Sequence, residues 1–474
     1  MTQPNVIHWF NQDLRLLDNP ALFEAAKNNN VLPVYILDNV NKDANNFIGQ
    51  ASMVWLHHSL ESLNESIDDK LSFFKGDPLS ILLKLCAKYQ INEIFWNQIY
   101  EPHIIERDSR IKKEMTLQGI SLHRYNASLL WDPDNIKKED GTPYKVFTPF
   151  YRKGCLLNSP EPRKPLPLPE DIHFLNKDED SLKIDDLGLI PNIRWDEKIA
   201  QHWNMGEVAA HIKLSQFLKT GIKNYKEGRN YPSKPNVSKL SPHMHFGEIS
   251  PNQIWYKLKQ EEPDKNIDHF MSELGWREFS YNQLYFNPDL PTKNLQSKFD
   301  RFPWKEDKDK LLAWQRGLTG VPVVDAGMRE LWQTGYIHNR VRMIVASFLV
   351  KNLLLHWHYG EQWFWDCLVD ADLASNSAGW QWVAGSGADA APYFRIFNPV
   401  TQGQKFDPDG LYIRRYVPEL AKVPNKYLFN PWEAPDLILE QAKVSLGVDY
   451  PNPIVDIKES RNKALEAFES IKIT

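Results

Sequence analysis

Over roughly its first 125 residues the chain alternates short apolar runs with longer amphipathic stretches. Residues 5–10, 31–37, 71–74, 93–96 and 120–125 are apolar or β-branched runs of strand length, and 51–67 and 78–89 carry helical spacing between them. This alternation predicts a parallel, doubly wound sheet. Ligands of such sheets sit beyond the carboxyl ends of the strands, which directs attention to 11–15 and 97–101. From 159 to 195 the period disappears into proline and acidic residues, and the segment reads as a long surface connection. Helical spacing then returns over 208–219, 251–260, 267–286, 308–317, 322–334, 339–355 and 361–368, with no strands among them. The pattern therefore predicts an α/β domain over 1–130, a connection over 131–200 and an all-α domain over 201–474.

Composition narrows the function classes. Apolar residues make up 42% and charged residues 25% of the 474, which excludes wholesale disorder. The net charge is −5, so any nucleic-acid partner must be met by a local basic patch. Three cysteines offer no disulfide framework and fit a reducing cytoplasm. The N-terminus lacks the pattern of a signal peptide, and the longest apolar run, 343–355, is interrupted and too short for a bilayer. A cytoplasmic protein without a membrane partner is expected. Seventeen Trp, 18 Tyr and 23 Phe exceed what a core needs and point to stacking on a flat ligand.

Walker, dinucleotide-fingerprint, GxSxG and reactive-cysteine signatures are missing. His243 and His245 with Glu248, and His356 with His358, place their histidines two apart, so no metal site is expected. The loop Val237-Ser238-Lys239-Leu240-Ser241 offers backbone N–H groups, two hydroxyls and a lysine to a pyrophosphate, although an ordinary capping loop would look the same. Asp370, Asp372 and Asn376 could ring one polar heterocycle amid tryptophans, where lone carboxylates need partners. Arg340 and Arg342, with Arg229, Arg277 and Arg395, supply such partners and a patch for DNA phosphates.

These residues are ordered as a family signature. Glu273-Leu274-Gly275-Trp276-Arg277-Glu278-Phe279, Thr319 to Arg329, Ile337 to Met343, Asp370 to Asn376, Gly379-Trp380-Gln381-Trp382 and Tyr393 to Pro399 resemble the helical domain of the photolyase–cryptochrome flavoproteins. Trp9 to Leu16 with Asp18-Asn19-Pro20 resembles the family's first strand and turn. The resemblance covers nearly the whole chain and is nearest to the bacterial class I cyclobutane pyrimidine dimer photolyases.

The resemblance implies an α/β antenna domain, a helical FAD-binding domain and light-driven repair of pyrimidine dimers by an electron from reduced FAD. Tyr225, Val237, Ser238, Lys239, Leu240, Ser241, Arg342, Asp370, Ala371, Asp372 and Asn376 become FAD contacts. Asn376 lies beside the flavin nitrogen that gains and loses a proton, and Arg342 partners Asp370. Trp380, Trp357 and Trp304 match the tryptophans that relay an electron to the flavin. Glu273 hydrogen-bonds the flipped lesion, Trp276 and Trp382 are its stacking walls, and Asn339 and Met343 line the same pocket. Arg229, Arg277, Arg340, Arg395 and Gln402 hold the kinked strand.

Members that repair (6-4) photoproducts carry His at such pocket positions. Asn339 and Met343 do not titrate, which favours cyclobutane dimers. Departures are Val237 for the usual Thr, Lys239 for Arg, and Ser377-Ala378 for Asn-Gly. Glu101 and Lys293 are the expected antenna contacts, for methenyltetrahydrofolate first and a deazaflavin second. The implied partner is UV-damaged DNA and the implied state a monomer. The rivals are a signalling cryptochrome, disfavoured by the short C-terminal stretch, a (6-4) photolyase, and an electron-transfer flavoprotein without DNA.

Overall fold

The computed structural model describes residues 3–38, 48–390, 392–393 and 395–472. They cluster into two compact units, Met1–Lys219 with Ser238–Pro288, and Thr220–Val237 with Asp289–Thr474.

The first unit is built on strands β1 (Asn5–Phe10), β2 (Asn30–Leu37), β3 (Ser72–Lys75), β4 (Glu93–Asn97) and β5 (Ser121–Tyr125). They lie parallel in the order β3-β2-β1-β4-β5, so the strand order reverses between β1 and β4. Ile7, Trp9, Leu32, Val34, Ile94 and Trp96 form the sheet's buried core with the helix Pro78–Tyr89. That helix begins where Asp77 accepts from the Ser80 N–H at 3.1 Å with Pro78 at its first position, and ends on left-handed Gln90.

The connection over 159–195 runs over the surface for most of its length but is tied to the sheet. His173–Phe174 forms β6, pairing in parallel with the start of β2, and Leu182 bridges Phe73 antiparallel. The short β3 covers only the far half of β2, and the returning segment takes the remaining edge groups. The helices Glu207–Gln216, Pro251–Leu258 and Lys265–Phe286 group with the sheet. Glu278 ties the longest of them down by accepting from the Leu130 and Trp131 N–H groups at 3.0 and 3.3 Å.

The second unit is helical. Pro322–Thr334, Asn339–Ser347, Trp357–Cys367 and Leu373–Ala384 pack around Trp314, Val324, Met328, Val345, Leu349, Phe364 and Trp380. The single helix expected over 339–355 is broken. A π turn, Phe348–Asn352, widens its end, and Leu354 adopts φ +57 before a new helix starts at Trp357. His356 caps that helix: its Nδ1 accepts from the His358 N–H at 3.2 Å, an unusual cap that apolar spacing cannot reveal.

Candidate functional site

In the second unit the helix Leu373–Ala384 begins at Asp372, whose carboxylate accepts from the Ser375 N–H at 2.7 Å. Just before it, Asp370 is buried and meets Arg342, whose Nη2 reaches both carboxylate oxygens at 2.9 and 2.8 Å. Arg342 is held in place by donating from Nε to the Ile337 carbonyl at 2.8 Å. One turn into the helix, Asn376 Nδ2 donates to the Glu361 carbonyl at 3.0 Å. That bond orients the carboxamide and leaves Oδ1 without a partner among the described residues, ready to accept from a ring N–H. Tyr225 is buried, with the Arg229 guanidinium over its ring at 5.3 Å.

The same helix carries Trp380. Gly360 makes room for it, since a Cβ there would fall 2.0 Å from the indole. Phe364 meets Trp380 edge-on at 5.0 Å, and Trp314 does so at 6.2 Å. Three residues before Gly360, Trp357 is fully buried and donates from Nε1 to Asn294 Oδ1 at 3.0 Å. The bond from the Lys305 N–H to the Leu354 carbonyl, 2.8 Å, brings Trp304 beside His356. The His356 ring lies 5.6 Å from Trp357 and 5.1 Å from Trp304. His356 thus links Trp304 to Trp357, and Gly360, three residues on from Trp357, lies against Trp380.

Two groups here gain a setting that the sequence did not show: His356, weighed above only as a metal ligand, and Glu361, not singled out at all. Burial, with the neighbouring His358, pushes the His356 imidazole down to about 4. Burial pushes the Glu361 carboxyl up to about 7, against the 2.8 Å bond it accepts from Ser377 Oγ. Glu361 follows Trp357 by four residues on one helix, the only signal that could have found it.

On the helix Asn339–Ser347, Asn339 and Met343 lie one turn apart on one face. Arg340 is half-buried over Phe406 at 4.4 Å and donates to Asn230, and burial and the nearby Arg229 hold its pKa down. Two crowded guanidinium groups suit a phosphate. Arg395 is exposed and Gln402 half-buried on Pro399–Phe406, while Trp382 is half-buried against the core. Phe394 lies outside the described residues. Lys293 is exposed and pairs with Asp289 at 2.6 Å. Val237 is half-buried.

In the first unit, Glu273 and Trp276 are half-buried on Lys265–Phe286. Arg277 turns inward instead, donating to the Ser128 carbonyl at 2.6 Å beside Glu278. Lys239 has φ +53 and lies over Trp203 at 5.8 Å, and the Leu240 N–H reaches Ser238 Oγ at 3.4 Å. Ser241 opens a short helix. At the β1/β4 crevice polar groups bond one another: Asn97 Nδ2 donates to Asp13 and Asn19 at 2.6 Å each, and Gln12 donates to the buried Glu101 at 3.3 Å. Of the histidines weighed as ligands, His243 is spent on buried Glu248. A cluster the sequence did not suggest, His57, His58 and Glu61, brings three donor atoms within 4.8 Å of one another.

Comparison with known proteins decides the family. The model described as the FAD binding domain of DNA photolyase matches residues 270–470, and that described as DNA photolyase matches 6–170. A deoxyribodipyrimidine photo-lyase of Agrobacterium fabrum is 45% identical over 99% of this chain and 98% of its own. The chain belongs to the DNA photolyase family.

Within that family, cryptochromes are relatives too: Cryptochrome-1 of Arabidopsis thaliana is 34% identical over 98% of this chain and 70% of its own. A crystal structure of a bacterial class III photolyase from Agrobacterium tumefaciens superposes with a TM-score of 0.94 at 44% identity, covering 100% of this chain and 99% of that one. A Synechocystis cryptochrome follows at 0.88 and 30%, over 98% and 99%. The sheet unit and helical unit are the fold of this photolyase family, and the chain carries its FAD-binding domain. The described residues fit that cofactor: a buried carboxylate is neutralised by Arg342, and a carboxamide oxygen is held open at Asn376. No helix among them is long and apolar enough to cross a membrane.

Proposed function

We propose that the protein is a deoxyribodipyrimidine photo-lyase acting on cyclobutane pyrimidine dimers in DNA; its likeness to the class III photolyase of Agrobacterium tumefaciens favours that class over the class I expected from the sequence. FAD, when bound and reduced, would supply a light-driven electron for splitting the dimer and would take it back once the two pyrimidines part. The chain's residues do the rest. Asn376 presents Oδ1 to a ring N–H while its Nδ2 is fixed by Glu361. Arg342 balances the charge of buried Asp370. Trp380, Trp357 and Trp304 return an electron to an oxidised cofactor. Glu273 accepts hydrogen bonds from the flipped pyrimidines, and Trp276 and Trp382 stack on them. Arg229, Arg340, Arg395 and Gln402 hold the strand; the inward turn of Arg277 argues for a supporting role at that position.

The observation that carries the choice of lesion is the helix face bearing Asn339 and Met343, which offers no proton donor of the histidine type. Methenyltetrahydrofolate remains the first candidate for an antenna and a deazaflavin the second, with Glu101 and Lys293 as contacts, in a cytoplasmic monomer.

Illuminating the purified holoprotein with oligothymidine bearing cyclobutane dimers, and separately with a (6-4) photoproduct, tests the reading. Light-dependent loss of the dimer alone is expected. Repair of the (6-4) product would overturn the lesion assignment, and repair of neither would favour signalling, the activity class of the cryptochrome relatives.

A further inference from the structure

Trp276 does not stand alone. Phe147 lies flat on it, with ring centroids 3.8 Å apart and planes within 9°. One turn further along, Tyr151 continues the stack at 5.6 Å, again within 9°. The Arg152 guanidinium lies over Tyr151 at 5.5 Å and is itself fixed by Asp268 at 3.0 Å. Phe279 wedges the column edge-on, 6.0 Å from Phe147 at 71° and 5.8 Å from Trp276 at 79°. Gly275 lets Tyr151 in, because a Cβ there would meet that ring at 2.5 Å. One face of Trp276 is therefore taken by Phe147 and an edge by Phe279, yet the residue is only half-buried.

We propose that Phe147 is a positioning residue for lesion binding. With Tyr151 it fixes the plane of Trp276, so that the opposite indole face receives a pyrimidine as the next ring of the column. This rests on the reading of Trp276 as a lesion contact. An indole free to turn about its side-chain torsions must be ordered when a base stacks on it, and that ordering weakens binding. Phe147 settles the orientation beforehand and adds ring–ring attraction directed along the column. The segment carrying it, Tyr144-Lys145-Val146-Phe147-Thr148-Pro149-Phe150, supplies several rings. Tyr144 and Phe150 are buried, whereas Phe147 is half-buried at the top.

The test uses the full-length FAD-loaded protein. Phe147→Leu, Phe147→Tyr, Trp276→Ala and the double variant Phe147→Leu/Trp276→Ala are compared in repair kinetics under saturating light and in affinity for DNA with and without a dimer. Phe147→Leu is expected to raise KM and dimer Kd roughly 3- to 10-fold. Its kcat and its affinity for undamaged DNA should stay near the parent values, and Phe147→Tyr should restore KM. In the Trp276→Ala background the same change should cost little, because the plane it orients is gone. If Phe147→Leu does not accumulate as folded holoprotein, Phe147→Met carries the same comparison. Parent KM in Phe147→Leu, or an equal loss with and without Trp276, would overturn the proposal while leaving Trp276 as a lesion contact. Unchanged dimer affinity in Trp276→Ala would overturn that underlying reading instead.

Discussion

Two groups of aromatic rings in this protein are made of the same material and packed in opposite ways. The column Tyr151–Phe147–Trp276 is parallel, within 9° at each step, and ends on a half-buried indole. In the row Trp380, Trp357, Trp304 most neighbouring rings meet the indoles at steep or tilted angles, such as Phe364 at 74° and Phe302 at 45°, although His356 lies within 26° of Trp357. Each depends on a glycine that admits a ring, Gly275 for Tyr151 and Gly360 for Trp380. A parallel stack leaves its last face unused, which suits a platform for another flat molecule. Trp380 and Trp357 are enclosed and Trp304 is half-buried at the end of the row, an arrangement that suits a conduit better than a platform. The surroundings differ as well. The column lies between the Arg152 guanidinium and the helix of Glu273, whereas His356 and Glu361 beside the row are both driven toward their neutral forms by burial.

The sharpest way to break this contrast is to interrupt the row. Trp304→Phe keeps a flat apolar ring but one much harder to oxidise, so folding should suffer little. Photoreduction of bound FAD with an external reductant should fall by roughly tenfold or more. Reduction with dithionite should restore dimer splitting to nearly the parent level, because the row serves only to recharge the cofactor. Normal photoreduction in the variant would show that the row is packing and not a conduit.

The platform should respond in the complementary manner. Trp276→Ala is expected to lower dimer affinity by the worth of one base–aromatic stack, about 1–3 kcal/mol, with flavin absorbance and photoreduction intact. Loss of flavin would move Trp276 out of the lesion contacts. A smaller effect is expected at Arg340, where the charge and not a ring meets the ligand. Arg340→Ala should make the salt dependence of DNA binding shallower by about one phosphate, a slope change of roughly 0.9. An unchanged slope would take Arg340 off the DNA face.

How much of this was legible in the sequence follows from the kind of interaction involved. The five parallel strands came through because short apolar runs are a local signal, and the helices Pro78–Tyr89 and Pro322–Thr334 because their apolar positions recur at helical spacing. The strand His173–Phe174 did not, since two residues have no period and pair only because β2 offers an edge. The break at Leu354 was hidden because apolar spacing continues through it. The Arg342–Asp370 pair was legible through family resemblance and is present, with Arg342 Nη2 reaching both carboxylate oxygens. Phe147 and Glu361 were not, because their roles arise from what the fold stacks or buries against them. The inward turn of Arg277 likewise depends on a distant carbonyl, that of Ser128.

The last test concerns the neutrality of the row and is read as stability instead of activity, with Glu361 as the group to change. In the folded protein its carboxyl is pushed up to about 7 from an ordinary 4.5, chiefly by burial. Between those two values the folded state keeps a proton that the unfolded chain has released. Stability from this group is therefore greatest below about pH 4.5, falls as pH rises toward 7, and is level above. Glu361→Gln removes the titration while its amide can still accept from Ser377 Oγ, as Glu361 does at 2.8 Å. The variant and parent should unfold alike near pH 4.5. By pH 8 the variant should be the more stable, by up to about 3 kcal/mol, or about 1–3 °C in a chain of this size. A difference that ran the other way, with the variant losing stability as pH rises, would mean that Glu361 is ionised and paired in the fold, and that the tryptophan row runs past a negative charge.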